Sequence, residues 1–136
     1  MTRARALVVA VALVAPACAS RAPATLDPQS VRVWQAAKAV AALGTVQHAA
    51  IELNAIERCD ESGACSPLFS DRDTAMVISI VAPTVTAIGQ APNGWFSVAD
   101  VALVEIADRL DEGGQRELAI YLQTARAVLA AIPREE

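Results

Sequence analysis

The sequence predicts an all-α protein, a small up-and-down four-helix bundle that follows a cleaved signal sequence and a short tether. Three observations support this prediction. Apolar residues recur at three- and four-residue spacing along four segments of the chain. Capping residues and Gly or Pro stop signals bound these segments. The last two segments are joined by a short connection, which is typical of antiparallel neighbouring helices.

The first 17 residues have the layout of a bacterial export signal. Arg3 and Arg5 supply a basic start, an apolar run covers residues 6–15, and small residues follow. At ~1.5 Å of rise per residue, a run of this length covers only about half of a ~30 Å hydrocarbon core. The run therefore indicates a cleaved signal rather than a permanent membrane span.

Cys18 stands where the signal ends, and its surroundings resemble the lipobox of bacterial lipoproteins. The resemblance lies in the position of the cysteine and in Ala17, while Pro16 and Ala15 depart from the usual pattern. Conventional cleavage at a small-x-small site is the alternative. If Cys59 and Cys65 pair with each other, Cys18 remains unpaired. Acylation at the mature N-terminus would then account for it, so we expect Cys18 to be lipidated.

We divide the chain into a signal peptide (1–17), a flexible tether (18–28) and a helical bundle domain (29–136). The length of the mature chain suffices for one domain. Loss of Arg3 and Arg5 with the signal leaves nine basic residues against fifteen acidic residues, a net charge of −6. Because phosphate binding needs clustered cations, this balance argues against a nucleic-acid partner.

The first predicted helix runs from about Pro28 to Arg58. Asp27 is a good N-cap, and proline is favourable at the first helical position. Gly44 lies where the apolar pattern shifts in phase, so a bend or interruption there is one expectation.

The second predicted helix runs from about Asp71 to Gly89. Ser70 and Asp73 form a capping box, which favours a helix start at this point. Pro83 in mid-segment predicts a kink. The β-branched residues would also suit a strand, but the caps favour a helix.

The third and fourth predicted helices run from about Val98 to Leu110 and from about Gln115 to Ile132. Ser97 and Asp100 predict a capping box at the start of the third helix. Gly113–Gly114 predicts a turn before the fourth helix.

Few residues are candidates for a functional site. Cys59 and Cys65 should form a disulfide in an oxidising envelope. Their spacing is wider than that of a Cys-x-x-Cys redox pair, so we expect the disulfide to be structural. Trp95 and Phe96 are a possible interaction surface, with burial at the end of the bundle as the alternative. His48, the only histidine, has no recognisable nucleophile beside it, so we expect a surface residue. We expect no catalytic residues, no metal site and no cofactor.

The sequence thus favours a non-catalytic exported envelope protein, a lipoprotein with a protein-interaction or structural role. Its expected location is the bacterial cell envelope, where the lipid anchor holds it at a membrane facing the periplasm or the cell exterior. Its partners would be an unknown envelope protein and the membrane itself. One alternative is a helical bundle of the envelope that binds a small molecule or lipid in its interior. The other is a small integral membrane protein with residues 74–89 as a span.

Overall fold

The computed structural model describes residues 26–134, and the predicted signal, Cys18 and most of the predicted tether lie outside them. Helices dominate, and one small β-hairpin accompanies them. In chain order the elements are α1 (Pro28–Asn54), β1 (Glu57–Cys59), β2 (Cys65–Pro67), α2 (Asp71–Gln90), a 3-10 turn (Pro92–Gly94), α3 (Trp95–Arg109) and α4 (Glu112–Ala131). The all-α prediction is confirmed for these residues.

The four helices pack around one apolar core. Each helix contacts the next along the chain, α4 returns to α1, and α1 also contacts α3. Helix α1 contributes mostly alanines to the interior, and larger side chains come mainly from the other helices. The buried residues include Ala39, Leu43, Val46, Val77, Val81, Ile88, Leu103, Ile106, Leu118 and Leu129. Small residues on α1 permit the close helix approach that a core of this kind needs.

Helix α1 begins where the sequence predicted but ends earlier. The carboxylate of Asp27 accepts a hydrogen bond from the Ser30 N–H at 2.9 Å, which is the predicted N-cap. The helix continues through Gly44 without interruption. It ends at Asn54, whereas the prediction extended it to Arg58. The chain then enters a hairpin in which β1 and β2 pair antiparallel, with Arg58 opposite Ser66.

Helix α2 keeps its predicted start and accommodates its proline. Ser70 accepts a hydrogen bond from the Asp73 N–H at 3.1 Å. The carboxylate of Asp73 does not complete the predicted capping box, because neither of its oxygens has a hydrogen-bond partner in the part of the chain that the structure describes. Pro83 lies on the exposed face of a continuous helix. Water can reach the backbone carbonyl whose helical bond is lost there.

The predicted start of α3 is wrong by three residues. The helix begins at Trp95, Gly94 is its N-cap, and the predicted capping box of Ser97 and Asp100 is not formed. The 3-10 turn leads directly into the helix, and Trp95 is only 4% exposed. Burial of this large side chain at the first helical position outweighs the local capping signal.

The predicted turn at Gly113–Gly114 is also wrong, because both glycines belong to the first turn of α4. The helix begins at Glu112, with Asp111 as its N-cap. The Gly114 N–H donates to Asp111 Oδ1 at 2.7 Å. A strong N-cap therefore overrides the weak helix propensity of two glycines.

Between residues 26 and 134, none of the helices combines the length and hydropathy that a membrane crossing requires, in contrast to the alternative expectation for residues 74–89.

Cys59 and Cys65 lie at disulfide-bonding distance across the hairpin, as the sequence predicted. Both cysteines are exposed, and they are directly paired residues of β1 and β2. The bond closes a short loop between α1 and α2.

Replacement of both cysteines by serine should lower the free energy of unfolding by about 2–2.5 kcal/mol, because the open loop gains chain entropy in the unfolded state. Thermal unfolding followed by circular dichroism would measure the change. Ser66→Ala in the same hairpin is the matched control and should leave stability nearly unchanged. An equally stable double variant would contradict a stabilising role for the disulfide.

Candidate functional site

A pocket of about 330 Å³ lies at one end of the bundle. Its lining comes from three separate parts of the chain: the first turns of α1, the connection between α2 and α3, and the segment after α4. These parts meet because successive helices run in alternating directions. The lining residues are Arg32, Gln35, Asn93, Trp95, Phe96 and Arg134.

The pocket wall is built on two aromatic rings. Trp95 and Phe96 pack edge to face, with 5.6 Å between the ring centroids and 83° between the ring planes. Such edge-to-face pairs are favourable because the positive edge of one ring meets the negative face of the other. Trp95 belongs to the buried core, whereas Phe96 is only partly buried. Through Trp95, this part of the pocket wall packs directly against the bundle core.

Arg134 is held over this wall by two contacts. Its guanidinium carbon lies 3.9 Å from the centroid of the Phe96 ring, a cation–π arrangement. The amide of Gln35 donates a hydrogen bond to the backbone carbonyl of Pro133, the residue before Arg134. Gln35 is 4% exposed, so this bond anchors the end of the described chain from inside the bundle. Arg134 is itself exposed, and its contact with the Phe96 ring places its guanidinium group at the pocket.

Arg32 adds a second cation to the pocket. It precedes Gln35 by three residues on α1, so both side chains lie on the same face of the helix. The ion pairs between described residues involve other cations, namely His48, Arg58, Arg109 and Arg126. Among residues 26–134, neither Arg32 nor Arg134 forms an ion pair.

The lining of this pocket combines hydrogen-bond donors with an apolar wall. Two guanidinium groups and the Asn93 amide offer hydrogen-bond donors, and two rings offer an apolar wall. Ligand pockets commonly combine apolar walls with a few convergent polar groups, and their volumes begin near ~300 Å³. The pocket is therefore large enough for a small ligand or for the end of a longer one.

The sequence singled out only part of this pocket. Trp95 and Phe96 were predicted as a possible interaction surface, and the structure places both rings in the pocket wall. Arg32, Gln35, Asn93 and Arg134 were missed. No local pattern marks Asn93 or Arg134, because they meet the other lining residues only through the packing of helix ends. The arginine and glutamine at three-residue spacing near the start of α1 were the one available signal.

The opposite end of the bundle contains a buried carboxylate. Asp73 is 1% exposed, and neither of its oxygens has a hydrogen-bond partner among the described residues. It lies beside Asp111 and Gly114 at the start of α4. Burial raises the pKa of Asp73 above its ordinary value of 3.8, and the negative charge of Asp111 raises it further.

The raised pKa makes stability depend on pH. Protonated Asp73 favours the folded state, so its contribution is complete below pH 3.8 and is lost as pH rises through the raised pKa. Asp73→Asn removes the ionisable carboxylate, and its amide can donate a hydrogen bond toward Asp111, so it should stabilise the protein at pH 7 by roughly 1–3 kcal/mol. It should also flatten the dependence of the melting temperature on pH. Asp108→Asn, which removes an exposed carboxylate, is the matched control. A less stable Asp73→Asn variant at pH 7 would contradict this account.

The remaining candidate residues lie apart from the pocket. His48 is exposed on α1, with its Nε2 atom 3.5 Å from Glu52 Oε1. No cluster of three or more His, Cys, Asp or Glu side chains able to hold a metal ion occurs among residues 26–134. Cys18 lies outside the described residues, so its lipidation stays a prediction.

The described fold is a helical bundle with a cationic, aromatic-walled pocket at one end. Comparisons of this chain with family models, with curated proteins and with solved structures give no match. The functional argument therefore depends on the chain's own residues.

Proposed function

We propose that this chain is a non-catalytic binding protein of the bacterial cell envelope, anchored to a membrane through a lipid on Cys18. The observation that supports a binding role is the bundle-end pocket, where two arginines and an asparagine converge beside the Trp95–Phe96 wall.

The proposed compartment is supported by the first 18 residues and by the hairpin. The basic start, the short apolar run and Cys18 are typical of an exported lipoprotein. Cys59 and Cys65 are exposed and lie at disulfide-bonding distance. An exposed disulfide persists in an oxidising compartment and is rare in a reducing cytosol.

The geometry bears on which kind of partner this protein binds. The sequence favoured another envelope protein, with a small molecule or lipid in the bundle interior as the alternative. The hydrogen-bond donors of the pocket lie at the bundle end, and its volume of about 330 Å³ is small. Both features favour binding of a small polar group over binding of a lipid chain. We therefore propose a small ligand, or the end of a partner chain, bound at this pocket rather than within the alanine-rich interior.

The membrane anchor can be tested with Cys18→Ser. In the producing bacterium, this variant should lose metabolic labelling by a fatty acid and should leave the membrane fraction, because no thiol remains at the mature N-terminus. Acyl labelling and fractionation of the envelope would measure both effects.

The matched control replaces Cys59 and Cys65 together by serine and keeps Cys18. It should retain the acyl label and the membrane location. A wild-type protein without an acyl label, with partitioning unchanged in Cys18→Ser, would overturn the lipoprotein part of the proposal.

A further inference from the structure

We infer that the bundle-end pocket binds a carboxylate attached to an apolar or aromatic group. This inference rests on the proposed binding role, and it is independent of the lipid anchor. Its basis is the juxtaposition of Arg32 and Arg134 with the Trp95–Phe96 wall in one pocket.

The charge of the pocket selects an anion. The whole chain carries a net charge of −4, yet among the described residues the lining of this pocket includes two arginines and no acidic side chain. Guanidinium groups are weakly hydrated and stay charged at all physiological pH values. Two guanidinium groups that line one pocket attract an anion more strongly than a single arginine would.

The geometry of Arg134 favours a carboxylate among anions. Its guanidinium carbon lies 3.9 Å from the centroid of the Phe96 ring, and a guanidinium group presents its five N–H donors along the edges of one planar fork. A planar carboxylate can accept two parallel hydrogen bonds from such an edge. The amide of Asn93 and the second guanidinium of Arg32 can donate further bonds to the same group.

The aromatic wall favours ligands in which the carboxylate is attached to an apolar group. Trp95 is fixed in the core, and Phe96 is held between Trp95 and Arg134. Because Trp95 is only 4% exposed, the part of the half-buried Phe96 ring that faces the pocket supplies most of the apolar contact next to the bound carboxylate. Both a free aromatic or aliphatic acid and the C-terminal residue of a peptide present this chemistry.

The test is a titration of the full protein, as purified from the producing cell, with N-acetyl-phenylalanine and with N-acetyl-phenylalanine amide. The two probes differ in the carboxylate alone. The acid should bind and should shift the Trp95 indole N–H resonance, while the amide should bind at least tenfold more weakly. Inorganic phosphate should bind more weakly than the acid, because it lacks the apolar group.

Arg32→Gln should weaken binding of the acid about ten- to a hundredfold, the range expected for loss of a charge-assisted hydrogen bond. Arg32→Lys retains the charge without the planar fork and should give an intermediate loss. Arg116→Gln, an exposed arginine of α4 away from the pocket, is the matched control and should leave affinity within twofold. Circular dichroism checks that each variant is folded.

A tripeptide that ends in phenylalanine distinguishes the two sources of the ligand. Tighter binding of the tripeptide than of the free acid would assign the pocket to a chain terminus, and the reverse would assign it to a small acid. Equal binding of acid and amide, no binding of either, preferred binding of phosphate, or equal losses in Arg32→Gln and Arg116→Gln would overturn the inference. These results leave the acyl-labelling test of the anchor unaffected, so the two proposals fail separately.

Discussion

Trp95→Ala should destabilise the protein by about 3–5 kcal/mol, the usual range for truncation of a buried aromatic side chain. The indole is 4% exposed, stands at the first position of α3 and packs edge to face with Phe96. Its removal leaves a cavity at the bundle end and releases the start of α3. Because a domain of this size is stable by only about 5–15 kcal/mol, the loss should be evident in thermal unfolding.

Two comparisons make the Trp95 result decisive. Trp95→Phe keeps part of the apolar contact and should cost much less. Phe96→Ala truncates a partly buried ring in the same pocket and should cost less than Trp95→Ala. A Trp95→Ala variant that melts like the wild type would show that the indole serves recognition alone and contributes nothing to the bundle end.

The sequence predicted those helix ends that local chemistry determines. Asp27 followed by Pro28 fixes the start of α1, and Ser70 fixes the start of α2. In both places a side-chain oxygen meets a backbone N–H three residues later, and an interaction within one turn can be read from spacing alone.

The sequence predictions are wrong or incomplete where contacts between distant parts of the chain determine the structure. The start of α3 depends on the burial of Trp95, which no residue within one turn reveals. The hairpin escaped prediction because each strand has three exposed residues and hence no apolar alternation. Only two of the six residues that line the pocket were predicted, because adjacent aromatic residues stand out in a sequence, whereas Arg32 and Arg134 meet only in the folded chain.

Gly114 illustrates how a long-range contact reverses a local rule. Glycine in a helix normally costs about 0.5–1 kcal/mol relative to alanine. A Cβ atom at Gly114, however, would collide with Asp73 Oδ2 and lie only 3.2 Å from Leu110 Cδ2. The missing side chain at Gly114 therefore lets the start of α4 approach the buried carboxylate of α2.

Gly114→Ala should consequently destabilise the protein by about 2–3 kcal/mol, toward the upper end of the cost of overpacking a core, because the displaced group is a buried carboxylate. Gly44→Ala is the matched control. Gly44 is an exposed helical residue of α1, and an added Cβ atom there would meet open space, so this change should stabilise by about 0.5–1 kcal/mol. Chemical denaturation of both variants and of the wild type would measure the two changes in the free energy of unfolding, which should have opposite signs.

A double-mutant cycle would assign the cost of Gly114→Ala to its cause. In an Asp73→Ala background the colliding carboxylate is gone, so Gly114→Ala should cost less than about 1 kcal/mol, and the difference is the coupling energy of the pair. The remaining cost reflects the contacts with Leu110 and with Asp111 Oδ1, at 3.2 and 3.3 Å from the added Cβ. If Gly114→Ala instead stabilised the protein as Gly44→Ala should, the close approach of α2 and α4 at Asp73 would be refuted.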